Sequence, residues 1–407
     1  MKEPGSGSAS CRYTKKQKRL KMAAVFFLCT ALLAGSSAQE TEQLALKNAE
    51  FATALYRKVA GSTDDNVVIS PLSVSLGLAA LAGGAAGQTR SQILETLRLS
   101  ALDEPGQLLQ NLREALENDA ALRFDQGAAV FAGQQVQVEA AFKDQARMYY
   151  NAEVQNTNFA AVQAAKNQIN DFSRTVSGDK IRDVNVPVDS QTQMLLVSAS
   201  FFKGQWLLPF NASVTQDERF YIDKYHIVQV PMMFNSDKYY LAYDPALKVG
   251  ILKLPCAGGA AMLVLLPDED VDYTSIDDDL YAAKFMDWLK KLKKTKLEVQ
   301  LPRFSLEQSY SLKMSLATMG ITDVFQGNAD LSGLSKEQDL KLSEVVHKAA
   351  IEADESGSVA AATPGGDQNV SNLPPRLTIN RPFLFLVYHE ATKNLLLMGR
   401  VNDPTKK

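Results

Sequence analysis

The sequence predicts a mixed α+β fold, with helices concentrated in the first half of the chain and strands in the second. Apolar residues recur at helical spacing through residues 44–177, whereas apolar, β-branched runs between turn residues predominate after Thr192. No linker rich in Pro, Gly or Ser separates the two regions. We therefore expect one large unit in which helices and sheets share a core.

Helices are expected at several places in the first half. Leu44–Val59 has helical spacing, and a short strand follows at 67–69. The Ser70 hydroxyl should cap a helix that has Pro71 in its first turn, and Thr89 should cap the next helix. Amphipathic spacing then predicts helices over residues 108–122, 140–150 and 161–177.

Strands are expected after Thr192, each an apolar and β-branched run between turn residues. The predicted strands cover residues 194–202, 226–234, 249–254, 261–266, 297–304, 383–388 and 395–398. Two helices interrupt them, at 280–292 and at 310–319, and Gly320 is the expected stop of the second helix. The last two strands are almost entirely apolar, which is typical of strands buried on both faces.

The composition is that of an ordinary globular protein. Of its 407 residues, 46% are hydrophobic and 22% are charged, with a formal net charge of −3. This balance excludes an intrinsically disordered chain. No apolar stretch reaches the roughly 20 residues of a membrane-spanning helix, so we expect no membrane partner.

The first 38 residues have the features of a leader that is removed. Five basic residues from Lys15 to Lys21 precede the apolar run Met22–Leu33, and small residues follow, ending at Ala38. This is the pattern of a secretory signal peptide, with its signal core at 22–38. We therefore predict a secreted, extracellular protein with a single domain at 39–407. An uncleaved signal anchor is the alternative, which the short apolar run disfavours.

Removal of the leader changes both the charge and the cysteine content. It takes away seven basic residues and one acidic residue, which leaves 36 basic against 45 acidic residues and a net charge of −9. An acidic chain has no general electrostatic basis for binding nucleic acid. Only Cys256 remains, and its apolar surroundings predict a buried thiol rather than a disulfide. Two N-glycosylation sequons, at Asn211 and Asn369, suit a secreted glycoprotein.

Eight motifs, spread over nearly all of the chain after the leader, resemble the serpin family. They are NVVISPLS (66–73), GAAGQTRSQIL (84–94), FFKGQWLLPF (201–210), LPRF (301–304), GITDVF (320–325), EVVHKAAIEADESG (344–357), RPFLF (381–385) and MGRVNDP (398–404). They occur in the order and spacing of the family. Residues 219–234 and 297–320 look most like the antitrypsin-type serpins of the protein Z-dependent branch.

The resemblance implies a serpin fold of three β-sheets and about nine helices, with an exposed reactive-centre loop at 356–375. Independently of the family, some twenty residues between about Glu355 and Leu377 lack apolar periodicity, which is either a functional loop or a surface insertion. Serpins act as suicide substrates of serine proteases: the protease cleaves the loop, and the cut loop inserts into the main sheet while the acyl-enzyme is trapped. The expected loop hinge consists of Glu355, Gly357, Ser358, Ala360, Ala361 and Ala362.

The loop sequence suits insertion. Small side chains can pass between existing strands, and Ser358, Ala360 and Ala362 would face one side of the sheet. The spacing of the family places the reactive bond between Ser371 and Asn372. No Lys or Arg lies between Glu355 and Pro375, which favours a chymotrypsin- or elastase-like serine protease over a trypsin-like one. Members of the protein Z-dependent branch carry an aromatic residue at the position of Ser371, which argues against a shared protease target and leaves a protein Z-like partner open.

Two loop residues favour the alternative of a non-inhibitory serpin, which serves as a protease substrate or as a carrier. Pro364 lies where the inserted strand would be in mid-sheet, and proline cannot donate a ladder hydrogen bond there. A glycan on Asn369 would lie two residues before the reactive bond and hinder the protease. Both interpretations stay open at this point.

Several positions outside the loop correspond to functional regions of the family. Ser70, Ser73 and His347 resemble the shutter, a polar cluster beneath the main sheet, and Trp206 resembles the breach, where the loop enters. His347 also lies on the apolar face of its strand, which predicts a buried, hydrogen-bonded imidazole. Ser198 stands where the family usually has Asn, so the resemblance implies an altered network.

Five lysines crowd the end of the predicted helix at 280–292, namely Lys290, Lys291, Lys293, Lys294 and Lys296. A solvated helix end is one interpretation, because cations suit the helix dipole there. The other is a site for a heparin-like glycosaminoglycan, which some serpins of this branch bind on the equivalent helix. The helix at 108–122 has only Arg113 among several acids and suits a polyanion poorly.

No motif for catalysis is present. The three histidines, His226, His347 and His389, form no HExxH pattern, and the chain has no nucleophile elbow or phosphate loop. We expect a protein that is not an enzyme, binds no metal or cofactor for catalysis, and is a monomer.

Overall fold

The computed structural model describes residues 39–357 and 374–407. The described residues from Leu44 onward belong to one compact unit, which contains the sheets. The predicted leader and the central part of the predicted loop lie outside the described residues. The same holds for the following predicted site residues: Ser358, Ala360, Ala361, Ala362, Pro364, Asn369, Ser371 and Asn372.

Nine α-helices and fourteen strands occur in the described ranges. Residues 39–60 form α1. The other helices are α2 (Pro71–Gly84), α3 (Gly87–Thr96), α4 (Pro105–Glu117), α5 (Ala140–Tyr150), α6 (Val162–Val176), α7 (Tyr273–Asp279), α8 (Ala282–Lys291) and α9 (Lys313–Thr318). The strands are β1 (Val67–Ile69), β2 (Phe124–Gly133), β3 (Ala152–Thr157), β4 (Met194–Lys203), β5 (Gln216–Tyr221), β6 (Ile227–Asp244), β7 (Val249–Pro255), β8 (Ala260–Pro267), β9 (Lys293–Pro302), β10 (Phe304–Ser311), β11 (Glu344–Ala353), β12 (Arg376–Thr378), β13 (Phe383–His389) and β14 (Leu395–Val401).

A five-stranded sheet has the order β10-β11-β4-β2-β3. Its two central strands, β11 and β4, run parallel and pair from Glu344 opposite Leu195 to Glu352 opposite Lys203. On one face the sheet packs against α2. On the other face, α6 and apolar residues of 181–186 cover it and enclose a second, smaller core. The parallel central pair is therefore sandwiched between two layers.

A nine-stranded sheet has the order β1-β14-β13-β8-β7-β6-β9-β12, with β5 on β6. The 18-residue strand β6 joins two parts of it. The first part of β6 pairs with β5, and its last five residues pair with β7. If the nine-stranded sheet is divided within β6, it counts as two sheets. Together with the five-stranded sheet these make the three predicted sheets, and the fold is of the predicted α+β class.

Three helix predictions were wrong at their boundaries. The helix predicted at 108–122 begins at Pro105 and ends at Glu117. Thr89 does not cap a helix: it lies inside α3, and its hydroxyl accepts the Asp330 N–H at 2.9 Å. Tyr310 and Ser311 belong to β10 because they pair with β11, so α9 is short.

The strand predictions missed part of the sheet structure. β2 is rich in Gly and Ala, which have low strand propensity, and β3 is mostly polar, so neither has a strong strand pattern. β6 continues ten residues beyond its predicted end at 234. The run predicted at 297–304 is the strand β9, which begins at Lys293, followed by the start of β10. By contrast, the Ser70 cap, with Pro71 in the first turn, is confirmed.

Candidate functional site

The central feature of the five-stranded sheet is the boundary between β4 and β11, which we call the seam. Of the sheet's four strand pairs, β10–β11 and β2–β4 are antiparallel, and β4–β11 and β2–β3 are parallel. Of the two parallel pairs, only β4–β11 includes the strand from which the predicted reactive loop departs. The chain leaves β11 at its last residue, Ala353, and continues through residues 354–357. We call this end of the seam its upper end. A segment that turned back there would run antiparallel to both strands. The seam therefore has the geometry of a site for one more strand.

A neutral hydrogen-bonded cluster lies at the middle of the seam. His347 of β11 is fully buried and stands opposite Ser198 of β4. The Ser70 backbone N–H donates to His347 Nε2 at 2.8 Å, so Nδ1 carries the proton and donates to Ser198 Oγ at 2.8 Å. Burial lowers the pKa of His347 to about 3, so the imidazole is neutral at physiological pH.

The same cluster connects the sheet to the helix beneath it. Ser70 Oγ donates to the Leu396 carbonyl at 2.8 Å and lies 3.1 Å from Ser73 Oγ. The structure thus brings the predicted residues Ser70, Ser73 and His347 together across α2, β11 and β14. Ser198, the departure from the family pattern, takes part in this network through its bond to His347.

Trp206 lies at the upper end of the seam and is buried. Its indole N–H donates to the Asp354 carbonyl at 2.6 Å, and its backbone N–H donates to the Ser356 carbonyl at 3.1 Å. A Cβ on Gly357 would lie 2.5 Å from the Trp206 carbonyl oxygen, so the close approach requires glycine. The predicted hinge residue Gly357 is therefore held against Trp206 as an extension of the seam.

Charged side chains hold the segment that follows β11. Glu355 accepts hydrogen bonds from Arg303 Nη2 at 2.5 Å, Arg303 Nε at 3.1 Å and Thr215 Oγ1 at 2.7 Å. Burial by itself raises the pKa of Glu355, but these donors outweigh it and lower the pKa. Lys203 of β4 binds the Asp354 carboxylate at 2.8 Å. None of these partners was predicted from the sequence, although Arg303 lies within the LPRF motif.

The second layer over the seam is tied to β11 by two lysines. Lys180 pairs with Glu352 at 2.9 Å, and Lys348 donates to the Asp183 carbonyl at 2.7 Å. Ile181 on the same segment is fully buried against the sheet. A strand that enters the seam must displace these contacts. No sequence pattern pointed to them, because they join a loop to a distant strand.

The sequon at Asn211 stands next to the hinge. Asn211 is exposed, and its side-chain oxygen accepts the Ser213 N–H at 3.0 Å and the Ser213 hydroxyl at 2.8 Å. The flanking residues Phe210 and Ala212 line a groove together with residues 354–356. The acceptor nitrogen of this sequon is thus on the surface beside the upper end of the seam.

The five predicted lysines divide between two elements. Lys290 and Lys291 end α8, and Lys293, Lys294 and Lys296 begin β9. Lys296 stands opposite Lys238 of β6, and Lys294 lies 5.7 Å from the centre of the Tyr240 ring. Because side chains alternate along a strand, Lys294 and Lys296 share one face with Lys238 and Lys293 points to the other. Lys291 is engaged by Asp287 at 2.6 Å.

Other chemistry is not assembled in the described parts of the chain. Within residues 39–357 and 374–407, no group of three or more His, Cys, Asp or Glu side chains is placed to hold a metal ion. Cys256 is buried and unpaired, and burial raises its thiol pKa. A helix with the length and apolarity to cross a bilayer does not occur in these ranges.

Comparison with known proteins agrees with this geometry. Human protein Z-dependent protease inhibitor is 34% identical over 370 residues, which cover 89% of this chain and 83% of the relative. Corticosteroid-binding globulin from Oryctolagus cuniculus is 35% identical over 367 residues, which cover 89% of this chain and 96% of the relative. Among solved structures, mouse protein Z-dependent protease inhibitor superimposes with a TM-score of 0.84 at 31% identity, covering 91% of this chain and 99% of the other.

The relatives include proteins that are named for ligands as well as protease inhibitors. The structure of human thyroxine-binding globulin superimposes with a TM-score of 0.83 at 32% identity, covering 90% of this chain and 99% of the other. Residues 46–404 match the family described as serpin (serine protease inhibitor). The family match, the relatives and the parallel strands at the seam lead to one conclusion: this chain belongs to the serpin family.

Proposed function

We propose that this serpin is a secreted inhibitor of a serine protease that works by inserting its cleaved reactive loop at the seam. Serpins are protease inhibitors and not enzymes, so the catalytic groups belong to the target. The observation that carries the proposal is the parallel pairing of β4 with β11, next to residues 354–357, where the predicted hinge begins. A loop that entered there would replace one parallel pairing by two antiparallel pairings.

The residues that follow the hinge suit this movement. Fourteen residues from Ser358 to Ser371 would span roughly 45 Å as a strand, at about 3.3 Å per residue. A protease joined to Ser371 as an acyl-enzyme would be carried along the sheet. Its catalytic groups would lose their alignment with the ester, so deacylation would stall. Release of the ion pairs at Asp354 and Glu355 would be the first step of insertion.

The proposed target is chymotrypsin- or elastase-like. Ser371 is small and no cation lies between Glu355 and Pro375, so an acidic specificity pocket of the trypsin type would find no partner. The pattern of the leader supports secretion, and Asn211 and Asn369 are the proposed glycan acceptors, of which Asn211 is described and exposed. These assignments extend the family membership to a particular class of protease and to an extracellular location.

The test is electrophoresis in SDS after the mature chain has been mixed with elastase, chymotrypsin and trypsin. We expect a covalent complex with elastase or chymotrypsin and none with trypsin. Ala360→Arg should abolish the complex and leave only cleaved chain. Its side chain would face the same side of the sheet as Ser358, where only small side chains can pass between the strands. Ala361→Arg is the matched control, since its side chain would face the opposite side, and it should retain most of the complex.

The second candidate is a non-inhibitory serpin, a protease substrate or carrier. The observations that favour it are Pro364 and the relatives named as binding globulins, such as thyroxine-binding globulin. Under this hypothesis every protease yields only cleaved chain. If Pro364→Ala then restores the covalent complex, proline in the inserting strand is the cause, and if Asn369→Gln restores it, the glycan is the cause.

We propose a heparin-like glycosaminoglycan as a surface ligand of the lysine face on β6 and β9. Lys238, Lys294 and Lys296 are exposed and share one face, whereas Lys293 points away. Lys296→Ala should therefore weaken heparin binding and its salt dependence more than Lys293→Ala does. Equal effects of the two variants would mean that the lysines act as a diffuse charge, and no effect of either would exclude the site.

A protein Z-like partner is proposed from the relatives that carry that name. The hairpin between β5 and β6 offers a rigid surface for such a partner: Tyr225 is 89% exposed. The Asp223 carboxylate holds the turn by accepting the N–H groups of Tyr225 and His226, at 2.7 and 2.8 Å. Tyrosine is among the residue types enriched in binding hot spots. Tyr225→Ala should abolish binding in a titration with protein Z, and Tyr243→Ala, a half-exposed control, should not.

A further inference from the structure

The helix α1 begins where the mature chain is expected to begin. The predicted signal peptidase cut falls after Ala38, because Ser36 and Ala38 are small residues at the positions that the peptidase reads, so Gln39 becomes the first residue. The chain is helical from Gln39 onward, and Gln39 and Glu40 are both exposed. The first buried residue of α1 is Leu44. The mature chain therefore starts with an exposed glutamine at the first position of a helix.

A free α-amino group is unfavourable at the first position of a helix. Such a group is mostly protonated at physiological pH. The helix dipole places a partial positive charge at the same end, which disfavours a second cation there. Glu40 and Glu42 in the first turn have the charge that suits this end and offset part of the repulsion. A modification that removes the charge of the amine therefore suits the start of α1.

Glutamine at the first position of a chain can lose this charge without a co-reactant. The neutral amine attacks Cδ of its own side-chain amide, the N–Cδ bond forms, the Cδ–Nε2 bond breaks, and Nε2 leaves as ammonia with the proton that the amine gives up. The product is pyroglutamate, a five-membered lactam whose nitrogen is uncharged. Amine and amide belong to one residue, so the attack is intramolecular. The first N–H groups of a helix have no partner within it, so no helical hydrogen bond has to break.

We propose that Gln39 of the mature chain is cyclised to pyroglutamate. The inference rests on the proposed secretion, which removes the leader, and it does not depend on protease inhibition. The cyclised chain has no terminal ammonium group at the start of α1, and it is closed to aminopeptidases, which require a free α-amino group. Gln43, one turn further along α1, cannot react in this way because its nitrogen belongs to a peptide bond.

The test is peptide mass spectrometry of the chain secreted by cells that express residues 1–407. Free amines are acetylated before digestion, so an open Gln39 would be labelled and could no longer cyclise during the work-up. Trypsin does not cut at acetylated lysine, so it releases the N-terminal peptide 39–57, which ends at Arg57. We expect most of this peptide to carry no acetyl group at its N-terminus and to be lighter than the open, unlabelled form by the mass of one ammonia. Pyroglutamyl aminopeptidase should then remove residue 39 from the peptide and leave Glu40 first.

Gln39→Asn is the matched control. It keeps the amide but shortens the side chain by one methylene, so the same attack would have to close a strained four-membered ring. The N-terminus of this variant should therefore be open and acetylated. If the substitution moves the signal peptidase cut, the enzymatic removal of residue 39 from the wild type decides the question by itself.

Three results for the secreted chain would overturn the proposal: an acetylated Gln39 in most molecules; an N-terminal peptide that begins at another residue; or an equally blocked N-terminus in Gln39→Asn, which would mean that the block is not the lactam. A chain that stays in the cell with its leader would overturn both this inference and the proposed secretion, whereas an open Gln39 in the medium would overturn this inference alone.

Discussion

The upper end and the middle of the seam are held closed by different chemistry. At the upper end the contacts are ion pairs that water can reach on at least one side: Glu355, whose side chain is 11% exposed, is bound by Arg303 at 46%, and Asp354 at 31% is bound by Lys203 at 26%. In the middle, His347 is sealed from solvent and joined to its neighbours by neutral hydrogen bonds. Ion pairs in contact with water are worth little and are easily exchanged. A buried neutral network is costly to break.

The difference indicates a direction for opening. Water can replace the partners of Asp354 and Glu355 one at a time, so the upper end can open without a large barrier. The hydrogen bonds of His347 are buried from water, so we expect them to break only after an inserting strand has reached the middle of the sheet. We therefore expect the seam to open from the hinge downward, and the following predictions test the contrast between its two ends.

The largest effect is expected in the middle. His347→Ala leaves the Ser70 N–H and the Ser198 hydroxyl without partners and creates a buried cavity. It should lower the free energy of unfolding by about 3–5 kcal/mol, measured by urea denaturation of the uncleaved chain. His226→Ala, at an exposed histidine of the β5–β6 hairpin, should change it by less than about 0.5 kcal/mol. A small effect at His347 would mean that the middle of the seam is not sealed by this network.

The second prediction concerns pH and has a definite sign. The pKa of His347 is about 3 in the folded chain and about 6.5 when unfolded, so below pH 6.5 the unfolded chain takes up a proton that the folded chain does not. Stability is therefore lost as the pH falls, by about 2 kcal/mol between pH 6.5 and pH 5. Urea titrations of the wild type and His347→Ala at both pH values isolate this contribution.

A comparison of the two chains is needed because burial lowers the pKa of His389 as well, which contributes with the same sign. His389 is present in both chains, so its contribution cancels in the difference between them. If the wild type and His347→Ala lose equal stability over this range, His347 does not supply the pH dependence.

The smallest effect is expected at the upper end. Arg303→Ala removes a partly exposed pair and should lower stability by about 1 kcal/mol, which corresponds to roughly fivefold faster insertion of a synthetic peptide with the sequence of residues 358–371. In 1 M salt the effect should shrink without disappearing, because the Arg303–Glu355 contacts of 2.5 and 3.1 Å are about as short as the Debye length of roughly 3 Å and the Glu355 side chain is largely buried. The assay is native electrophoresis of the peptide complex.

Arg376→Ala is the matched control for Arg303→Ala. It removes a similar pair, with Glu298 at 2.8 Å, at the other end of the loop, and it should leave the rate of peptide insertion unchanged. Faster insertion in both variants, or an unchanged insertion rate in Arg303→Ala, would contradict an electrostatic restraint on the hinge by the Arg303–Glu355 pair.

Local patterns in the sequence were sufficient for a large part of this description. The alternation that put His347 on an apolar face, the Ser70-Pro71 helix start and the apolar surroundings of Cys256 each predicted burial or an element boundary that the structure has. The serpin motifs predicted the fold class. These properties depend on neighbours within a few residues, or on whether a side chain is apolar, and so they can be predicted from the sequence.

Tertiary structure alone decided which residues meet. Arg303 and Glu355 are 52 positions apart, and Lys203 and Asp354 are 151 apart, so no local pattern can pair them. The strand β2 has the Gly and Ala of a poor strand former and is a strand because β4 and β3 pair with it. In the same way, Thr89 became a tertiary contact rather than a cap. Which strands pair depends on which surfaces come together in the folded chain. Hydrophobic periodicity in the sequence indicates only which side of each helix or strand is apolar.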